Sequence, residues 1–401
     1  MSLPLALYVH LPWCVRKCPY CDFNSHPVPA GGVPEAAYLH ALLEDLEYAA
    51  AECGDRQLVS VFFGGGTPSL FAPASIARLL DRATALLTAV PGLEVTLEAN
   101  PGTVEHGAFR DYRAAGVNRV SLGAQSFDDR QLTALGRIHT ADETRAAVAE
   151  LDAAGLDNFN LDLMYALPRQ DAAQAIADLE AALALGPAHI SHYQLTLEPG
   201  TVFGRRPPPD LPGDDLSYEI QEISEARLAA AGFGQYEVSA YARAGRQCRH
   251  NRNYWEFGDY LGVGAGAHGK LTCNGRITRT ARHRSPARYL AAATPGERIA
   301  QLREVDPQDL PLEFCLNALR LIEGFDIARY EEATGLSGAS LEPACARAVG
   351  LGLLGRQGSR WIPTPLGRRF LNDLQALFLP EPAGQWIACL PKASGVAAPS
   401  R

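Results

Sequence analysis

A partial parallel α/β barrel followed by a smaller helical domain is the fold this sequence predicts, and three observations predict it. Across residues 5–200, six short apolar runs alternate strictly with amphipathic stretches rich in Ala, Leu, Glu and Arg, the rhythm of βα units and a parallel sheet. Gly116, Gly155 and Gly186 stand just past three of the helical stretches, where a left-handed C-terminal cap belongs. Polar and glycine residues collect where the strands end, at 64–67, Asn100, Gln125 and Asp162, and parallel barrels build their sites at that end. An open sheet fits the same alternation; the gathered strand ends favour a partial (βα)6-type TIM barrel.

Taken in order, strands are expected at 6–11, 58–63, 94–99, 119–123, 158–164 and 189–195, and helices at 34–53, 73–89, 104–115, 141–154 and 171–185. The proline-rich stretch 199–215 reads as a loop. A helix at 216–231 and a strand at 234–241 follow, then short β-structure over 254–283 with an Asn274-Gly275 hairpin turn. Three short helices are expected near 309–322, 326–334 and 341–351, then a hairpin at 355–364 and a last helix at 365–378. This helical block with its wing resembles a winged-helix domain. The expected division is a partial barrel at 1–235, a β-rich extension at 236–300 carrying the HNRNYW segment, a C-terminal helical domain at 301–380 and a flexible tail at 381–401.

The 401 residues carry 36 basic and 45 acidic side chains, a net charge of −9. That balance is poor for general nucleic-acid binding, and no nucleic-acid partner is expected. An apolar content of 47% against 20% charged residues excludes disorder for most of the chain. No apolar run approaches a membrane span, and MSLPLALYVHLPWC lacks the basic region of a signal peptide. A cytoplasmic protein is expected. The arginines near the wing (Arg356, Arg360, Arg368, Arg369) supply a competing DNA-binding reading, ranked low.

Cysteine placement carries the first chemical signal. Nine cysteines, an odd number, argue against a disulfide framework. Three of them, Cys14, Cys18 and Cys21, form a C-x3-C-x2-C cluster directly after the first strand. The second ligand pair of a zinc site has no counterpart downstream. Three thiolates suit a [4Fe–4S] cluster whose fourth iron stays open to another ligand.

That spacing, after the first strand of a βα barrel, resembles the radical S-adenosylmethionine (SAM) signature. The resemblance implies that Cys14, Cys18 and Cys21 hold the cluster and that its open iron takes the methionine part of SAM. The cluster's electron, supplied by an external donor, cleaves SAM in that superfamily. Phe63–Pro68 (FGGGTP) then matches the glycine motif that binds the methionine amino group, through Gly65, Gly66 and Thr67. Glu98 in LEANPG, Gln125 in GAQSF, Arg137 in LGRIH and Asp162 in NLDLMYALP fall at places that hold SAM ribose and carboxylate in the oxygen-independent coproporphyrinogen III oxidase-like branch. Tyr8 and Tyr20 match aromatic SAM contacts there. Taken singly, each polar residue serves equally well as a strand-end hydrogen bond or helix cap; their shared register points to a set.

Within that branch the dehydrogenases carry a fourth cysteine two residues after the third, a place held here by Phe23. They also carry an N-terminal segment before the first strand, which here starts almost at Met1. Both departures tell against coproporphyrinogen dehydrogenase activity, the alternative function, while SAM cleavage is left open and no catalytic residue is assigned. CRHNRNYW, at 248–255, resembles instead the HemW-type heme chaperones, in which this motif is associated with heme binding and heme is delivered to respiratory hemoproteins. A neutral imidazole at His250 ligates heme iron, Tyr254 and Trp255 offer flat apolar surface, and Arg249 or Arg252 pairs with propionates. A structural histidine in a barrel-closing loop is the competing reading for His250, and His268 is a second candidate. The resemblance thus implies a [4Fe–4S] cluster, SAM and heme as cofactors, hemoprotein recipients, an electron donor and at most peripheral membrane contact.

Overall fold

In the computed structural model, which describes residues 3–102 and 108–380, twelve strands form one curved sheet. They are β1 (Leu5–Leu11), β2 (Gln57–Gly65), β3 (Thr88–Ala99), β4 (Arg119–Gln125), β5 (Phe159–Tyr165), β6 (His189–Gln194), β7 (Gly234–Gln235), β8 (Ala240–Ala242), β9 (Asp259–Val263), β10 (His268–Cys273), β11 (Arg276–Arg282) and β12 (Ile299–Glu304). Their order is β12-β11-β10-β9-β1-β2-β3-β4-β5-β6-β8-β7. The run from β9 through β6 is parallel throughout, with Leu5 opposite both Leu58 and Asp259. The outer strands on each side return antiparallel.

Alternation along β1 explains why the sheet curves around a polar interior. Leu5, Leu7, Val9 and Leu11 enter the main core with Leu39, Leu42 and Leu46 of the Glu35–Ala50 helix. Tyr8 and His10 point the other way, into the lumen, and make polar contacts there. Helix termini are fixed locally: Thr140 and Asp171 form capping boxes with Glu143 and Gln174. Gly116, Gly155 and Gly186 take positive φ of 103°, 69° and 69° just after their helices.

Several expected elements differ. The third strand begins at Thr88, not Glu94: extended backbone starts at Leu87, and Thr88 and Ala89 pair with Gln57 and Leu58. The stretch 234–241 is two short antiparallel strands, because Tyr236–Ser239 turns back to pair Tyr241 with Gln235. HNRNYW is not loop but part of the helix Arg249–Trp255. The last expected helix is broken at Phe370, with φ −110° and ψ 47°, into Pro365–Arg369 and Leu371–Ala376. The flexible-tail expectation, and residues 104–107 of an expected helix, lie outside the described residues.

Asn274 and Gly275, both at positive φ (51° and 75°), make the hairpin turn between β10 and β11. Residues 305–378 build a second core around Phe314, Tyr330, Leu341 and Trp361. It is continuous with the barrel through Phe257, whose ring meets Phe314 edge-on at 5.5 Å. No helix among the described residues is long and apolar enough to cross a membrane.

Candidate functional site at the barrel mouth

The loop after β1 brings the three clustered thiols to the strand ends. Trp13–Cys14 pairs with His26–Pro27, and Lys17 donates to the carbonyls of Phe23 and Ser25 at 2.9 and 3.2 Å, folding the loop back on itself. Cys14, Cys18 and Cys21 are partly exposed and unpaired, and close enough to influence one another's charge. Burial pushes the Cys14 thiol up, partly offset by the Thr67 hydroxyl; burial does the same to Cys21, offset by Ser25, the Phe23 backbone and Lys17. Arg137 places Nη1 3.6 Å from the Cys18 sulfur. Among the described residues no three potential ligands already converge on one point at metal-binding distance, so the thiols stand side by side on one loop. Three soft donors with an arginine to offset thiolate charge fit an iron–sulfur cluster.

The glycine run closes against that loop. The N–H groups of Gly66 and Thr67 donate to the carbonyls of Leu11 and Trp13 at 2.8 and 2.7 Å. A Cβ at Gly65 would lie 2.5 Å from the His10 ring, and one at Gly66 would lie 2.4 Å from the Trp13 carbonyl oxygen. Only glycine permits this approach, and at Gly65 a φ of +119° demands it as well. Gly65 N–H donates to Glu98 Oε2 at 3.0 Å. Burial and the neighbouring Asp162 charge push the Glu98 carboxyl up to about 7, against the opposing Gly65 hydrogen bond.

Around the mouth, the structure ties the sequence-predicted residues into one polar rim. Gln125 ends β4 at φ 67° and accepts from the Tyr193 hydroxyl at 2.7 Å. Arg137 reaches the Gly123 carbonyl at 2.9 Å and the Asn100 side chain. Asp162 accepts from Asn160 and Ser121 at 2.7 and 3.2 Å, and burial raises its pKa nonetheless. Tyr8 is hydrogen-bonded to His10 at 2.9 Å. Burial raises the Tyr20 hydroxyl's pKa, with Arg137 opposing.

Sequence reasoning missed one residue of this rim, His10, and gave a second, Asn100, only as a polar strand end without a role. His10 bridges Tyr8 and the Asn24 carbonyl; since a carbonyl only accepts, Nε2 carries the proton and Nδ1 accepts from Tyr8. Burial lowers its pKa to about 4, so the ring is neutral. Asn100 donates to Thr67 Oγ1 at 3.0 Å while its oxygen takes Arg137, linking the glycine motif to the Cys18 side. A histidine at an inward position of the first strand, and an asparagine between strand end and proline, were the available signals.

His250 sits in the lumen with its ring 6.2 Å from that of Tyr8. Its backbone N–H and that of Arg249 donate to Glu94, each at 3.1 Å, and its Nδ1 meets Ser60 Oγ at 3.1 Å. The ring stacks on Phe62 at 4.7 Å and touches Tyr254 at 5.0 Å. It is 4% exposed, and burial lowers its pKa to about 3. In this arrangement the ring is held between Phe62 and Tyr254. His268, by contrast, is exposed at the start of β10.

Comparison with known proteins agrees with this architecture. Residues 8–182 match the Radical SAM superfamily, and residues 305–370 match the HemN C-terminal domain. The chain is 47% identical to a protein named Heme chaperone HemW from Escherichia coli K12, over 94% of this chain and 99% of that one. It is also 47% identical to the Haemophilus influenzae protein of the same name, over 94% and 98%. A Mycobacterium tuberculosis relative, again named Heme chaperone HemW, is 37% identical over 91% and 92%. The solved structure of the E. coli coproporphyrinogen III oxidase HemN shares the fold, with a TM-score of 0.78 at 22% identity over 94% of this chain and 90% of that one. With identity at this level over nearly its whole length, the chain belongs to the HemW family within the radical SAM superfamily.

Proposed function

We propose that this protein is a heme chaperone: it binds heme and transfers it to hemoproteins, with a [4Fe–4S] cluster and SAM held at the barrel mouth. The observation that carries this reading is the near-full-length identity of 47% to two proteins named Heme chaperone HemW. Phe23, in the place of the dehydrogenases' fourth cysteine and 60% exposed, supports it against propionate decarboxylation.

Cys14, Cys18 and Cys21 would hold the cluster, with Arg137 offsetting thiolate charge. Tyr8, Tyr20, Gly65, Gly66, Thr67, Glu98, Gln125, Arg137 and Asp162 would bind and orient SAM. When bound, cluster and SAM together supply one-electron chemistry that the side chains lack. The chain's own part is positional. The glycine backbone presses the loop against β2, and Glu98 and Asp162 hold protons or accept hydroxyls at the lumen wall. Tyr193 and Gln125 fix the far rim.

In this reading the recipients are respiratory hemoproteins, an external donor reduces the cluster, and contact with a membrane complex is peripheral. Unpaired cysteines among the described residues agree with a reducing, cytoplasmic setting. For His250 to serve as iron ligand, Nε2 would take the metal while Nδ1 stays on Ser60, and a macrocycle would need space beside the Phe62 and Tyr254 rings.

The test is an anaerobic assay of the cluster-loaded protein with reductant, SAM and coproporphyrinogen III, beside a hemin titration. Saturable hemin binding without porphyrinogen conversion is expected. Steady conversion to protoporphyrinogen would replace this reading with the dehydrogenase.

A further inference from the structure

A sizeable cavity lies outside the lumen. It measures about 830 Å³ and opens between β6, the helix Asp214–Ala230 and the C-terminal domain, within the ~300–1,000 Å³ typical of small-molecule sites. Alternation along β6 sets its chemistry. His189 bonds Asn160 and Tyr193 bonds Gln125, both on the lumen side, so His192 projects from the outer face into the cavity wall.

His192 is 6% exposed, and its ring stacks on Tyr165 at 4.7 Å and 30°. Neither ring nitrogen has a hydrogen-bond partner among the described residues, and the side chain lines the cavity. Burial alone lowers its pKa to about 4, so at neutral pH it offers a free lone pair, as iron ligation requires.

The two walls differ in charge. On the helix wall, Glu222 accepts from the Tyr218 hydroxyl at 2.7 Å and Glu225 from Gln221 at 2.8 Å. Opposite, the C-terminal domain presents Arg320, Arg368 and Arg369 among the apolar Leu319, Ile322 and Leu371. Arg369 lies over the Tyr218 ring at 3.8 Å, and Arg320 Nε is buried without a partner. An unpaired histidine, aromatic and aliphatic surface and a one-sided set of arginines suit a flat metal macrocycle bearing carboxylates along one edge.

We propose that this cleft is where the protein carries heme, with His192 as an axial ligand and the arginines of the C-terminal domain pairing with the propionates. The proposal rests on the heme-chaperone reading above. It also gives the HNRNYW segment a second role: Trp255 lies under Arg320 at 4.4 Å, and Arg320 is tied to Glu237 at 3.1 Å. The segment thereby positions a propionate partner without touching iron. Tyr193 lines the cleft and donates to Gln125 at the mouth, a direct link between the two sites.

The experiment is an anaerobic hemin titration, followed in the Soret region, of cluster-loaded full-length protein: wild type, His192→Ala, His192→Met and Arg368→Glu/Arg369→Glu. Cluster absorbance serves as the folding control. The wild type should saturate near one equivalent. His192→Ala should bind at least about tenfold more weakly, a change of about 1.4 kcal/mol, with a shifted Soret band restored by added imidazole. His192→Met should keep binding with a sulfur-ligand spectrum. The double arginine variant, changed at the cleft rim, should weaken binding about tenfold with the band position unchanged. Wild-type affinity and spectrum in every variant would overturn the site while leaving the chaperone reading intact. Failure of the wild type itself to bind hemin saturably would overturn both.

Discussion

Glu94 Oε1, on the third strand of the barrel, accepts the backbone N–H of His250 at 3.1 Å across 156 positions of sequence. Its other oxygen takes the N–H of Arg249, and the Cys248 thiol approaches at 3.6 Å. One buried carboxylate thus caps the start of the Arg249–Trp255 helix, beside the fully buried Arg119 that feels its charge. Glu94→Ala should destabilise the protein by about 1–3 kcal/mol, since it leaves the buried N–H groups of Arg249 and His250 without their acceptor, with Glu94→Gln intermediate. Urea unfolding measures this; a loss under ~1 kcal/mol would show that the helix start does not depend on Glu94.

Glu98 gives a pH signature of defined sign. Its carboxyl is raised from 4.5 to about 7 in the fold, so the folded state binds the extra proton. The associated stability is present below pH 4.5 and lost as pH rises through 7. The melting temperature of Glu98→Gln relative to wild type should therefore climb between pH 5 and pH 8. A difference constant across that range would mean that the site does not hold the proton.

Buried histidines act in the opposite sense. His10, His139 and His192 are lowered to about 4, and His250 to about 3, chiefly by burial. Each contributes stability that is full above pH 6.5 and lost as pH falls toward 4, at about 1.4 kcal/mol per proton per pH unit. Acid unfolding should begin below pH 6.5 and take up more than one proton. A midpoint unmoved between pH 7 and pH 5 would contradict the neutral, buried assignment.

The cluster assignment predicts that Cys14→Ser/Cys18→Ser/Cys21→Ser loses its iron and its charge-transfer absorbance near ~400 nm. Arg137→Met should keep the cluster but lower its reduction potential, because a cation 3.6 Å from the Cys18 sulfur is gone. Retained iron in the triple variant, or an unmoved potential in Arg137→Met, would remove the corresponding assignment.

The barrel strands were legible because each is short, apolar on one face and bounded by glycine or polar residues. The cysteine loop was legible because all three thiols lie within eight consecutive residues. What sequence missed depends on distant partners. The Arg249–Trp255 helix has seven residues and takes its cap from Glu94, so no local period announces it. Pro91 and Gly92 interrupt β3 and hid its first half. The His192 cleft exists only because the C-terminal domain packs beside β6, and nothing near His192 in sequence marks its ring as unpartnered.

Heme transfer is the decisive measurement. Protein loaded with one equivalent of hemin, with cluster and SAM present, is mixed with an apo-hemoprotein whose recovered activity reports heme arrival. Transfer should saturate with recipient concentration and run faster than heme escapes to a free-heme scavenger. Heme that reaches the recipient only as fast as it escapes to that scavenger would show that the protein does not deliver it.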